Sequence, residues 1–162
     1  HPVTYFSELQ DICLKSGVKV FYTPRLPKTP INGSTRWINN APVIQLTARY
    51  KQNDRFWFTF FHEAGHILLH GKKYISLEGV NFSESDPDKE EEAHRFAESW
   101  TLSKEQENEI LVNMPMGHED IIFYAKKFKT HPAMIIGRFQ HLGIIPYSFG
   151  REFIEPVDLA SN

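Results

Sequence analysis

The chain has 162 residues, 41% hydrophobic and 14% aromatic, enough for one domain (1–162) with a core of its own. A formal net charge of −2 argues against direct nucleic-acid contact, and no apolar run reaches the length of a membrane span. The single cysteine, Cys13, rules out an internal disulfide framework and suits a reducing, cytoplasmic compartment.

Phe6, Leu9, Ile12 and Cys13 recur at three and four residues, which predicts an amphipathic helix over 3–17, stopped by Gly17. Residues 18–22 read as a short strand, and Pro24, Pro27 and Pro30 as an irregular loop. Two further strands, 33–38 and 42–47, flank Asn39-Asn40, residues that tolerate positive φ and suit a hairpin. Such a hairpin offers an edge on which an extended peptide can pair by main-chain hydrogen bonds. Arg36 is a candidate anchor there for a substrate carbonyl or carboxylate. In the competing reading the hairpin only covers the next helix and Arg36 is simply solvated.

That helix is predicted from the N-cap candidates Asn53 and Asp54 to about His70, before Gly71. It carries Phe60-Phe61-His62-Glu63-Ala64-Gly65-His66-Ile67-Leu68. Histidines four apart share one helix face and can reach a single metal ion, with Glu63 beside them to act on a metal-bound water. The apolar neighbours predict a buried helix, where an unsatisfied imidazole is costly and a Zn2+ ion supplies the missing partner. In the competing reading the two histidines are structural. Gly65 suggests close approach of a neighbouring element. His70 sits one turn too far along a straight helix to join the same ion, and is expected to hydrogen-bond or to complement the helix C-terminus.

Residues 72–87 read as a loop of the length often used for lids. Asp86 then caps a helix with Pro87 at its first position. Ala93, Phe96, Ala97 and Trp100 form its apolar stripe; Glu90 extends that stripe, while Glu91 and Glu92 face water. A carboxylate on an apolar face needs a cation, so Glu90 is the candidate third ligand and His94, one turn on, a candidate to orient it. Alternatively Glu90 only complements the helix dipole. Helices over 104–112, 119–129 and 132–142 follow, the last capped by Thr130 and ended by Gly143. The tail 144–162 is expected along the surface, held by Phe149 and Phe153. Tyr50, His118, His131 and His141 are candidates for a second oxyanion donor, which the sequence does not rank.

The His62-Glu63-Ala64-Gly65-His66 motif, the E-x-x-A-x-x-F-A of residues 90–97 and the Gly33-x-x-Arg36 strand together resemble the ImmA/IrrE family of metallopeptidases over about residues 18–142. The resemblance implies an α+β, zincin-like fold, with a small three-stranded, mostly antiparallel sheet against the motif helix. It also implies zinc held by His62, His66 and Glu90, with Glu63 as general base. Two positions depart from the family pattern. His94 stands where Asn is common, and Trp100-Thr101-Leu102-Ser103 where Leu-Leu-x-Pro is usual. Residues 131–141 are similar to the branch fused to an N-terminal helix-turn-helix domain, in transcription regulators and antitoxins. Since the chain opens on His1, such an upstream segment is expected. The function implied is a zinc endopeptidase cutting a regulatory protein, repressor-like or toxin-like. The alternative is a non-catalytic sensor or interaction domain of a regulator or antitoxin.

Overall fold

Helix α2 (Asn53–Gly65) lies between the sheet on one side and a set of helices on the other. The computed structural model describes residues 5–24, 32–47, 52–73, 76–77 and 86–157. Before α2 come α1 (Tyr5–Lys15), β1 (Lys19–Thr23), β2 (Gly33–Ile38) and β3 (Ala41–Thr47). After it come β4 (Ser76–Leu77), α3 (Pro87–Thr101), α4 (Lys104–Leu111), α5 (His118–Phe128) and α6 (Pro132–His141). The fold class is α+β. Among the described residues, no helix is long and apolar enough to cross a membrane.

The sheet runs in the order β1-β3-β2-β4. β3 takes a central place because it is the most apolar strand, with Val43, Ile44 and Leu46 each 2% exposed or less. Its hairpin to β2 turns through Asn39 and Asn40, at φ 49° and 68°, as the Asn pair predicts. Its other neighbour, β1, is parallel, from Lys19 opposite Val43 to Thr23 opposite Thr47. The three predicted strands therefore make a mixed sheet rather than a mostly antiparallel one. A fourth strand, β4, lies within the predicted loop 72–87, paired with β2 at Ser34 and Thr35. The β2 edge expected to be open is thus taken at those two residues. Of the predicted proline loop, residues 25–31 lie outside the described residues.

Two apolar clusters flank α2. One joins Leu9, Val20, Ile44, Leu46, Phe56, Phe60 and Val157 beneath the sheet. The other joins Leu102, Ile110, Ile121, Ile135, Ile136 and Phe139 among the later helices, with Phe149 and Phe153 packed on it. Burying a Phe or Ile side chain contributes about 1.5–3 kcal/mol, so each cluster supports its half of the molecule.

Several local expectations change. Gln52, not Asn53 or Asp54, precedes the first turn of α2, and it makes no side-chain cap. Asn53 is drawn into tertiary bonds instead: its Nδ2 donates to the Phe153 carbonyl at 3.1 Å, and its Oδ1 accepts from Glu155 N at 3.2 Å. His131, not Thr130, caps α6, its Nδ1 accepting from Ala133 N at 3.1 Å. Thr130 donates to the Thr101 carbonyl at 3.0 Å. Leu68 is 69% exposed rather than buried. Trp100 is 62% exposed and stacks on Phe61, outside the buried stripe. The Asp86 cap holds as expected, its carboxylate accepting from Asp88 N, with Pro87 at the first position of α3.

Candidate metal centre

The last turn of α2 runs into a π-helical turn, His66–His70, ending at Gly71 with φ 66°. α3 packs along α2 because Gly65 allows it: a Cβ there would meet Phe96 at 3.1 Å and Ala93 Cα at 3.3 Å. This close approach carries Glu90, on the first turns of α3, over the two motif histidines.

His62 Nε2 lies 3.1 Å from His66 Nε2 and 3.2 Å from Glu90 Oε2. His66 Nε2 lies 3.4 Å from Glu90 Oε1. The three residues form a metal-capable group, with one ligand atom from each within 4.8 Å of the others. Ligand atoms about 2.0 Å from a shared tetrahedral ion stand about 3.3 Å apart, so these separations fit a metal without rearrangement. Two histidine nitrogens and a carboxylate leave a fourth position for water, the donor set of a catalytic rather than a closed structural site. His62 and His66 are buried, at 5% and 1% exposure, and the Glu90 side chain is about one-third exposed. Burial holds the His66 imidazole below its ordinary value of 6.5, against the opposing pull of Glu90. That direction favours the neutral form, which a metal requires of its ligand.

Behind His66, a relay sets which nitrogen carries the proton. His66 Nδ1 lies 3.0 Å from His70 Nδ1, and His70 Nε2 lies 2.9 Å from Glu92 Oε2. With a neutral His70 that donates from Nε2 to Glu92, its Nδ1 accepts from His66 Nδ1–H. That leaves the lone pair of His66 Nε2 facing Glu90 and His62. His70 is thus a hydrogen-bonding partner, as its position one turn on suggests. Glu92, read from the sequence as solvent-facing, is exposed along its length yet ends on this relay. The sequence signal for it is the pairing of His70 with an acidic run, legible only once α3 is known to lie alongside.

Glu63 is fully buried against the sheet. The Thr35 hydroxyl donates to its Oε2 at 2.5 Å and lies 3.1 Å from its main-chain carbonyl. Gly33, two residues earlier on β2, leaves the room: a Cβ there would meet Thr59 Cγ2 at 2.7 Å and Glu63 Cγ at 3.0 Å. Thr35 escaped the sequence reading because nothing in a strand pattern marks which face meets the motif helix. Arg36, next along β2, alternates to the other face and is exposed.

His94 sits one turn beyond Glu90, half-buried, edge-on to Phe58 with ring centroids 5.0 Å apart. Its Nε2 is 3.8 Å from Glu98. Burial lowers its pKa, with Glu98 opposing. Of the candidate oxyanion donors, Tyr50 lies outside the described residues. His118 pairs with Glu152 and stacks on Phe149, His131 caps α6, and His141 is exposed at the C-terminal end of α6.

A family model described as Peptidase M78, IrrE N-terminal-like domain, matches residues 13–139. No curated protein matches the chain.

Proposed function

The chain belongs to the Peptidase M78 family of IrrE N-terminal-like domains, and from that premise we propose that it is a zinc-dependent endopeptidase acting on a regulatory protein. The observation that carries this reading is the convergence of His62, His66 and Glu90 at 3.1–3.4 Å, with Glu63 buried beside them. Zinc held by these three residues would supply Lewis-acid polarisation of a peptide carbonyl and a water pKa near 7. Glu63 accepts the proton of the attacking water and returns it to the leaving amine. Thr35 orients the Glu63 carboxylate from β2, and the relay through His70 and Glu92 keeps His66 in the tautomer that binds. A retained general base, held by a dedicated hydroxyl, favours catalysis over a purely structural or sensing site.

Metal content and cleavage of a peptide library, read by mass spectrometry, test this together. Wild type and Glu63→Gln should each hold one zinc, Glu90→Ala should hold it weakly, and only wild type should cut. Equal cleavage by Glu63→Gln would overturn the role of Glu63 as general base, and no zinc bound by wild type when it is supplied would leave a sensor or interaction domain as the function.

A further inference from the structure

A cavity of about 800 Å³ lies between α2, α3, α6 and the segment after α6. Phe58 and Thr59 reach it one turn before His62 on α2, and His94 does so one turn beyond Glu90 on α3. The Phe58 and His94 rings, with centroids 5.0 Å apart, join the two helices there. One turn from His62 along α2 and one turn from Glu90 along α3 lead to the same place, so the cavity adjoins the metal-capable group. We propose that it receives an extended stretch of the polypeptide substrate, about three residues long, on one side of the bond to be cut. This inference rests on the peptidase reading and adds to it the class of substrate: a long extended segment, not a di- or tripeptide.

Distance and volume set the register. One helical turn rises about 5.4 Å and an extended chain advances about 3.3–3.6 Å per residue. A chain leaving the metal-capable group therefore enters the cavity about two residues from the scissile bond. The volume lies high in the range for drug-sized ligands, roughly 300–1,000 Å³, which is room for about three residues and too much for one side chain. The floor is buried, with Thr59, Thr101 and Met134 each 8% exposed or less, and the rim opens to solvent at Tyr147, 65% exposed. A chain can thus lie in the cavity and continue out of it, as an internal segment of a protein must. The lining suits main chain and uncharged side chains. Arg138 is held by Glu98 at 3.1 Å and Glu107 at 3.0 Å, not by an occupant. His94 Nε2 stands 3.8 Å from Glu98, beyond hydrogen-bonding distance, so it can bond a peptide group where the chain enters. Gln52 and Ser148 add donors and acceptors, and Phe58, Met134 and Ile154 an apolar wall.

The test uses the purified protein with zinc supplied and a synthetic dodecapeptide library. A peptide that wild type cuts near its middle is resynthesised and shortened one residue at a time from either end. Loss of about the third to fifth residues from the bond, on one side, should lower kcat/KM by about tenfold or more, because binding made far from the reacting atoms goes with them. Ser148→Trp, which fills the rim, should lower kcat/KM about tenfold for the long peptide and leave the shortened one unchanged. Its zinc content should match wild type. Should that variant fold poorly, Tyr147→Ala should slow the long peptide several-fold with the same indifference to the short one. Equal kcat/KM for long and short peptides, or variants that slow both alike or neither, overturn the proposal and leave the peptidase reading standing. A wild type that binds zinc yet cuts no member of the library overturns both together.

Discussion

His66 is held from both sides, by Glu90 in front and by the His70–Glu92 relay behind. Groups that orient a metal ligand typically change affinity by 10–100-fold when removed, although they never touch the ion. Glu92→Gln should therefore lower zinc affinity by about tenfold and leave the fold intact, since Glu92 is exposed. His70→Ala should do at least as much, while His70→Gln, which can still accept from His66 Nδ1–H, should recover part of it. A competition titration against a zinc chelator measures both. Affinity unchanged in all three variants would show that His66 is set by packing alone.

At the scale of elements, the approach of α3 to α2 decides whether the third ligand arrives. Gly65→Ala gains up to about 1 kcal/mol of helix propensity. Its Cβ, however, would meet Phe96 and Ala93 at 3.1–3.3 Å, so α3 must shift by a few tenths of an ångström. The expected outcome is near-unchanged thermal stability with weaker zinc binding, because Glu90 moves with α3. Loss of stability by several kcal/mol instead would mean that the helix pair cannot yield. The start of α6 carries a pH dependence. His131 Nδ1 must stay unprotonated to accept from Ala133 N, and burial lowers its pKa below the ordinary 6.5, with Glu155 opposing. A histidine depressed in the folded state binds its proton more readily when unfolded. Its contribution is therefore complete above about pH 6.5 and is lost as pH falls below that. His131→Asn keeps a cap and removes this share of the pH dependence, whereas His131→Ala costs about 1 kcal/mol at pH 7.5. Urea unfolding between pH 7.5 and 5.5 separates them.

At the scale of the whole molecule, the second cluster contains a buried charge pair. Glu107, at 2% exposure, bonds Arg138 and Lys104. Burial pushes its carboxyl up, but the hydrogen bonds from Lys104 and Arg138 outweigh it and hold the pKa below the ordinary 4.5. The stability this group contributes is complete above about pH 4.5 and is lost as pH falls through the folded-state value. Glu107→Gln leaves Arg138 with Glu98 alone and should cost about 3 kcal/mol, the low end for breaking a buried pair. Its acid unfolding limb should also be shallower than that of wild type. An unchanged urea midpoint at pH 7 would show that Glu98 suffices.

The metal-capable residues were legible because their chemistry is local. The four-residue spacing puts His62 and His66 on one helix face, and the apolar stripe of α3 points Glu90 inward, whatever surrounds them. The Asn39-Asn40 hairpin and the Asp86-Pro87 start of α3 were readable for the same reason, since each depends on backbone preferences of the residues themselves. Other features depend on which element lies opposite. Asn53 could not be read as a tertiary staple rather than a cap until the chain end was in place beside it. Thr35 acquires its role only because Gly33 lets β2 approach α2, and Glu92 only because α3 lies alongside the π-helical turn. The cavity is built from α2, α3, α6 and the chain end, so no single stretch records it. Side-chain periodicity says which way a residue points within its own element; tertiary packing alone decides what it meets there.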